Sequence, residues 1–385
     1  MADYEPEVQQ CPISVSDNRK SGGVAGEGSV KSPTVVSGFA EIRDVLRASN
    51  ALQAGFKAEF ANRPGGFTRP PILYLTGEAH HRQRAATARF FTPRAVDVRH
   101  RPVMVECAER VVAELQKSGT ARLDRLALDM AVTVAAEIVG LTNSDKQGMV
   151  RRLDSFFSLD MSKTGVVATT VTAIKAQWQV LQFYVRDVRP AIAARRKTPR
   201  EDVISHLISD GYRNRDILVE CLTYGAAGMV TTREFITMAA WHMLEDKSLH
   251  DRFLATDRNG RLAILEEILR LEPVVGILYR KYEGSDETLA LDVRAANVDP
   301  QAVGECPFAV DPNRTRADRV GGSVLSFGDG EHRCPGAGVA LAEAETLLDL
   351  LMRVPGLTLS RAPDITWNPL VTGYELRNCV LTIAH

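Results

Sequence analysis

Apolar residues recur at helical spacing along most of the chain. From about position 38, Phe39, Ile42, Val45 and Leu46 fall three and four residues apart, which predicts an amphipathic helix because residues so spaced share one face. The same spacing, or long runs of Ala, Leu, Met and Arg, predicts helices near 79–92, 98–117, 124–140, 145–159, 166–195, 200–209, 216–246, 247–255, 259–271 and 336–353. Strand-like text is confined to 287–293, 357–360 and 378–383. The expected fold is therefore mostly α with small β elements, and without a repeat at solenoid spacing it is no stacked array.

Two stretches break the pattern. Residues 1–33 lack periodicity and carry Ser21-Gly22-Gly23 and Gly26-Glu27-Gly28, which predicts a loosely ordered arm before a large domain at 34–385. Residues 50–78 form a long connection with Pro64-Gly65-Gly66 and Pro70-Pro71, and connections of that length usually carry function.

Composition narrows the classes. With 45% apolar and 25% charged residues the 385-residue chain is globular, and a net charge of -1 gives no overall pull toward nucleic acid or an anionic membrane. No apolar run is long enough to span a bilayer, and the opening Met-Ala-Asp-Tyr-Glu-Pro-Glu lacks the features of a signal peptide, so a cytoplasmic location is expected. Cys11, Cys107, Cys221, Cys306, Cys334 and Cys379 show no CxxC pairing, which argues against a zinc site and a disulfide framework. Five are expected to be inert thiols.

Cys334 has special surroundings: Phe327-Gly328-Asp329-Gly330-Glu331-His332-Arg333-Cys334-Pro335-Gly336-Ala337-Gly338. The glycines let the backbone curl closely around something beside the sulfur, and Pro335 suits the first turn of a following helix. A sulfur at a helix N-terminus is favoured as thiolate, the form that a metal needs. A glycine-rich turn with a buried thiol would explain a lone Gly-Cys-Gly cluster but not the whole spacing. With Phe327 at -7, Gly330 at -4, His332 at -2 and Gly336 at +2, the segment resembles the haem-binding loop of the cytochrome P450 family.

That resemblance runs from about 34 to the end and implies a single P450-like catalytic domain, haem b with Cys334 as the axial thiolate, and dioxygen activation. Other segments agree in the expected order. Glu267-Ile268-Leu269-Arg270 resembles the family's Glu-x-x-Arg pair, and Arg314 of Pro312-Asn313-Arg314 resembles the arginine that completes a structural triad with Glu267 and Arg270. His80 and Arg84, followed by Phe91-Thr92-Pro93-Arg94, resemble the propionate-binding helix; Arg280 and His332 resemble two further propionate contacts, and His81 is left undecided. The family's usual hairpin text after Arg280 is absent and the N-terminal region is poor in strands, so a reduced β region is expected.

Residues 216–246 are apolar on nearly all sides around Gly225-Ala226-Ala227-Gly228-Met229-Val230-Thr231-Thr232, as expected of a helix through the middle of the fold. Aligned with the family, Thr231, with Thr232 beside it, is the threonine that hydrogen-bonds dioxygen and helps deliver protons. The family usually has an acid before this threonine, whereas this chain has Val230. Proton delivery is expected to be rerouted, through water or Glu234 one turn on, unless the reaction needs less protonation.

The resemblance also implies a mostly apolar substrate pocket lined by Phe67, Ile72, Leu73, Ala226, Ala227, Val230, Val275, Gly276, Ile277, Val371 and Thr372. Six arginines stand in 82–101 against Asp97, and a chain without flavin or iron–sulfur text needs an external donor. A ferredoxin or flavodoxin with its reductase, drawing on NAD(P)H, is the expected partner. The leading expectation is a monooxygenase acting on a small apolar or aromatic molecule, in secondary metabolism, without nucleic acid or membrane. Aromatic coupling, nitration or peroxide-driven oxidation is the second reading, supported by Val230, and a non-catalytic haem sensor the third.

Overall fold

The computed structural model describes residues 19–21, 33–55, 69–157, 166–369 and 371–384. The arm expected over 1–33 therefore lies mostly outside the described residues. Its described piece is held: the Arg19 guanidinium donates to the Leu271 carbonyl at 2.8 Å, and the Ser21 hydroxyl donates to Glu272.

Helices follow the periodicity. Phe39–Arg47 buries Phe39, Ile42, Val45 and Leu46, the four residues of the expected stripe, against Leu291, Val293, Ala296 and Leu325. Fully burying each such aliphatic chain contributes about 1.5–3 kcal/mol, so this one face anchors the N-terminal helix. Gly77–Ala88, Arg101–Ser118, Leu123–Val139, Lys146–Phe157, Lys247–Ala255, Arg258–Leu271 and Ala337–Met352 occupy the expected segments. Asp202, Asp246 and Asp257 cap the helices after them, each side chain accepting from the backbone N–H three residues on.

The long apolar text at 216–246 is one axis with a changed pitch. Asn214–Tyr224 runs through a π-type segment, Gly225–Val230, into Thr231–Glu245. Gly225 and Gly228 weaken the ordinary helical spacing there, and a wider turn takes up the slack. This helix packs against Leu123–Val139 and Ala337–Met352, so it lies at the centre of the main core.

The β elements are short. Thr34–Val36, Leu289–Asp292, Ile277–Tyr282 and Ala51–Gln53 form a four-stranded sheet in that order, parallel at the first pair and antiparallel elsewhere. Thr120–Arg122, Val380–Ile383 and Leu357–Arg361 form a second sheet, and Asp364–Asn368 pairs with Gly373–Arg377. Six of these strands were not legible as alternation, because three to six residues hold too few repeats of period two. Cys306 is disulfide-bonded, a departure from the expectation of unpaired thiols.

Candidate active site

The cysteine loop is shaped by its glycines. Gly328 (φ 67°) and Gly330 (φ 65°) adopt left-handed backbone, and a Cβ on Gly330 would run into the Leu46 carbonyl oxygen. The loop closes where the Cys334 N–H donates to the Phe327 carbonyl at 2.8 Å, and Arg47 pairs with Asp329 at 2.8 Å from the neighbouring helix. Ala337 opens the helix with Gly336 at its cap, so Pro335 precedes the first turn rather than standing in it. Burial pushes the Cys334 thiol up; the Gly336 and Ala337 N–H groups, Arg84 and Arg333 pull the other way but do not prevail. The helix end alone does not offset this burial, and the charge of a bound metal ion would favour the thiolate.

Behind the loop, Glu267 is buried and accepts from Arg270 at 3.0 Å, Arg314 at 3.1 Å, Arg316 at 2.7 Å and the Asp311 N–H at 3.1 Å. The remaining guanidinium donors of Arg270 and Arg314 go to carbonyls of Asn297, Val303, Glu305, Cys306, Pro307 and Ala309. Arg316 is a fourth member that the sequence did not suggest. These donors fasten the loops at 297–309, and the Asn297 side chain carries the brace to Ser326 and the Leu325 N–H, just ahead of Phe327.

Four groups able to carry positive charge gather beside Cys334. The His80 and His332 ring centroids lie 4.3 Å apart, Arg84 donates to the Arg333 carbonyl, and Arg280 donates to Gln53 and to the Tyr279 carbonyl. Among the described residues no carboxylate pairs with Arg84 or Arg280. Burial pushes Arg280 down to about 10. Burial, then His80, Arg280 and Arg84, push His332 down to about 3. The His80 Nδ1 atom is buried without a partner, and the nearby Glu331 binds the exposed His81 at 2.8 Å. Arg280 is buried and Arg84 half-buried, and a guanidinium taken out of water without an anion is costly, so the arrangement suits a ligand that brings negative charge.

A cavity of ≈ 490 Å³ opens from this cluster and contains Cys334, Gly336, His80, Arg84 and His332 in its wall. Of the expected pocket residues, Ile72, Leu73, Ala226, Ala227, Val275 and Val371 line it, and so do Thr231 and Thr232. Thr231 donates to the Ala227 carbonyl at 2.7 Å. Phe67 lies outside the described residues. Four expectations are corrected. Val230 is packed in the apolar core rather than on the wall. Gly276, Ile277 and Thr372 are used to join two segments: Gly276 N–H donates to the Thr372 carbonyl at 3.0 Å, and the Thr372 hydroxyl donates to the Ile277 carbonyl at 2.6 Å.

Glu234 is also corrected. Its carboxylate accepts from the Leu376 N–H at 2.7 Å, Arg377 at 2.8 Å and Arg233 at 2.8 Å, and it is absent from the cavity wall. A carboxylate so engaged braces the C-terminal strands against the helix and has no open face toward the cavity. Phe327, Gly330 and Arg280 are not among the residues of the wall. Residues that sequence reasoning missed include Thr87, Phe156, Tyr224 and Glu343. Glu343 had a signal: its spacing places an acid on the same helix face as Gly336 and Ala340, beside the cysteine loop.

No protein-family model matches the chain. It is 27% identical to mycinamicin IV hydroxylase/epoxidase of Micromonospora griseorubida over 304 residues, 75% of this chain and 73% of that protein. It is 25% identical to the biotin biosynthesis cytochrome P450 of Bacillus subtilis, covering 77% and 75%, and 25% identical to nocardicin C N-oxygenase of Nocardia uniformis, covering 86% and 85%. Among solved structures it resembles CalO2 with a TM-score of 0.76 at 23% identity, covering 91% of this chain and 90% of that one. P450BioI, crystallised with an acyl carrier protein ligated to hexadec-9Z-enoic acid, gives 0.72 at 23%, covering 91% and 92%. Fold and relatives together define an oxidoreductase of the haem-thiolate monooxygenase class. The chain is similar in sequence to bacterial cytochrome P450s and shares the fold of their solved structures.

Proposed function

We propose that the cavity beside Cys334 holds haem b, with Cys334 as the axial ligand and His80, Arg84, Arg280 and His332 as the donors to its two carboxylates. The observation that carries this reading is the meeting of one half-buried thiol with four cation-forming groups that have no carboxylate of their own. The donor set fits: a soft sulfur suits iron, and buried guanidinium and imidazole groups suit propionates. Gly330 and Gly336 keep the backbone close to the sulfur, while Glu267, Arg270 and Arg314 hold the loop. Bound there, the haem supplies dioxygen activation, and the rest of the wall selects and holds the substrate.

The substrate is a small, largely apolar or aromatic molecule. Support comes from the walls of the upper cavity, where Ile72, Leu73, Ala226, Ala227, Val275 and Val371 offer no charge, and Thr231 and Thr232 supply hydroxyls at one side. Relatives named for oxidising mycinamicin and nocardicin favour a product of secondary metabolism. Electrons come from NAD(P)H through a ferredoxin or flavodoxin and its reductase, in the cytoplasm. Arg82, Arg89, Arg94 and Arg333 are exposed for such an acidic visitor, whereas Arg99 and Arg101 are already paired with Glu201 and Glu345. Among the described residues no helix is long and apolar enough to cross a membrane.

The test is the absorption spectrum of the reduced protein under carbon monoxide. Thiolate ligation places the main band far to the red of imidazole ligation, and Cys334→Ala is expected to abolish it. Protein that stays colourless after haem supplementation, or an unchanged band in the variant, overturns the reading. Reduction by the physiological donor is expected to slow with added salt and with charge reversal at Arg82 and Arg89; insensitivity to both removes the partner assignment.

A further inference from the structure

The helix Val166–Phe183 continues into a π-type segment, Tyr184–Val188. Its inward side is packed: Phe183 and Asp187 are buried, and Arg152 donates to the Asp187 carboxylate at 2.6 Å. Its outward side is apolar as well. Among the described residues nine large apolar side chains are exposed, and five of them, Val171, Ile174, Trp178, Leu181 and Val185, lie on this one helix, with Ile174 at 63% and Trp178 at 59%. At about 100° per residue the five fall within a sector of about 80°, opposite Phe183 and Asp187. Single exposed apolar residues need no explanation, but a continuous stripe marks a surface that meets something.

The spacing points to another helix. Steps of three, four, three and four residues from Val171 to Val185 are the a and d positions of a heptad seam, whose side chains insert between those of a facing helix. The order of residues points to a second copy of this chain. Trp178 stands at the centre, Ile174 and Leu181 flank it, and Val171 and Val185 lie seven residues away on either side. An antiparallel copy therefore sets Trp178 on Trp178, Ile174 beside Leu181 and Val171 on Val185. A stripe that matches its own reverse is what a two-fold contact requires.

Charge and area agree. No ionisable group interrupts the stripe, and its margins carry Gln177 and Gln182 with only Lys175 and Arg186 as bases, whereas a helix lying on an anionic lipid surface is rich in Lys and Arg. One aromatic and four aliphatic side chains present on the order of 500 Å² per copy, so two copies face to face approach the roughly 1,000 Å² of a specific interface. A groove beside Trp178 and Leu181 extends the apolar face to Leu218 and Phe156, and Phe156 also lines the cavity beside Cys334. The contact thus abuts the outer side of the cavity wall.

We propose that this face is a homodimer interface, in which two copies pair their 166–188 helices antiparallel about a two-fold axis at Trp178. The haem-loaded full chain tests it by sedimentation across a dilution series. The expected mass at tens of micromolar is twice that of one chain, falling to the monomer on dilution. Trp178→Glu should weaken association on the order of 100-fold, the scale of a central aromatic anchor lost from both sides, with the reduced carbon monoxide band unchanged. Should that variant not fold, Leu181→Lys must weaken association at least tenfold. Under mild oxidant Trp178→Cys should form a covalent dimer, because the axis sets this position against its own copy. Neither the parent nor Val98→Cys, an equally exposed site on another helix, should do so.

A chain that stays monomeric at its highest soluble concentration overturns the proposal. So does a dimer that Trp178→Glu leaves intact, or one whose Trp178→Cys form does not crosslink. Monomers that bind phosphatidylcholine vesicles, with a blue shift of fluorescence lost in Trp178→Phe, would assign the face to a lipid surface and overturn it too. The mass of the protein does not depend on what the cavity holds, so this proposal and the haem-site reading fail separately.

Discussion

Replacing Glu267 by Gln removes the charge on which the brace behind the cysteine loop depends. The carboxylate accepts five hydrogen bonds, from Arg270 Nε and Nη2, Arg314 Nε, Arg316 Nη2 and the Asp311 N–H. An amide oxygen can retain about two acceptor contacts, and the amide nitrogen then points donors at guanidinium donors. Losing two or three charge-assisted bonds at roughly 1.5–3 kcal/mol each gives about 3–9 kcal/mol, and its lower part coincides with the roughly 3–5 kcal/mol found when one member of a buried ion pair is removed. Against a typical total of about 5–15 kcal/mol this is a large share. Urea unfolding should show a lower midpoint with an unchanged slope, and haem should dissociate at lower denaturant than in the parent. The effect should also depend on pH. Burial alone would raise the Glu267 carboxyl, but Arg270, Arg314 and the Asp311 N–H hold it below the ordinary range. A folded value below the unfolded one contributes stability above the usual carboxylate range and loses it as pH falls through the folded value. The difference between parent and variant should therefore be full at neutral pH and shrink in acid. A loss below about 1 kcal/mol at pH 7 would refute the account of the brace.

Three further outcomes follow from single sites. Arg280→Met should stabilise the haem-free protein by about 1–3 kcal/mol, because a buried guanidinium without an anion is replaced by an apolar chain, yet should weaken haem retention; thermal melts with and without haem must move in opposite directions. Gly330→Ala should cost about 1–3 kcal/mol and lower haem content, since it strains a φ of 65° and drives a methyl into the Leu46 carbonyl; a melt equal to the parent's would show that the loop moves freely. Glu220 is buried against Gln83, and burial lifts its carboxyl to about 7. A carboxyl raised in the fold contributes stability at acid pH that is lost as pH rises through that value, so Glu220→Gln should match the parent at pH 5 and exceed its melting temperature at pH 8. Parallel pH profiles would exclude a buried, neutral Glu220.

The sequence by itself determined the helices and the sulfur. Stripes such as Phe39, Ile42, Val45 and Leu46 repeat often enough over nine residues to declare a buried face, and the Phe327 to Gly336 spacing carries its own backbone geometry in its glycines. It likewise held the pairing of Glu267 with Arg270, since residues three apart on a helix meet whatever surrounds them. Strands of three residues left no such record, because Thr34–Val36 exists only by pairing with Leu289–Asp292 far along the chain. The direction in which a side chain faces was decided by the tertiary structure. Val230 and Thr231 are neighbours, yet one is core and the other wall, and Glu234 is drawn to Arg377 from the C-terminal strands instead of the cavity. Only packing of two distant helices brings Glu343 to the same space as Thr231, because the contact depends on how the helix axes cross and not on any local pattern.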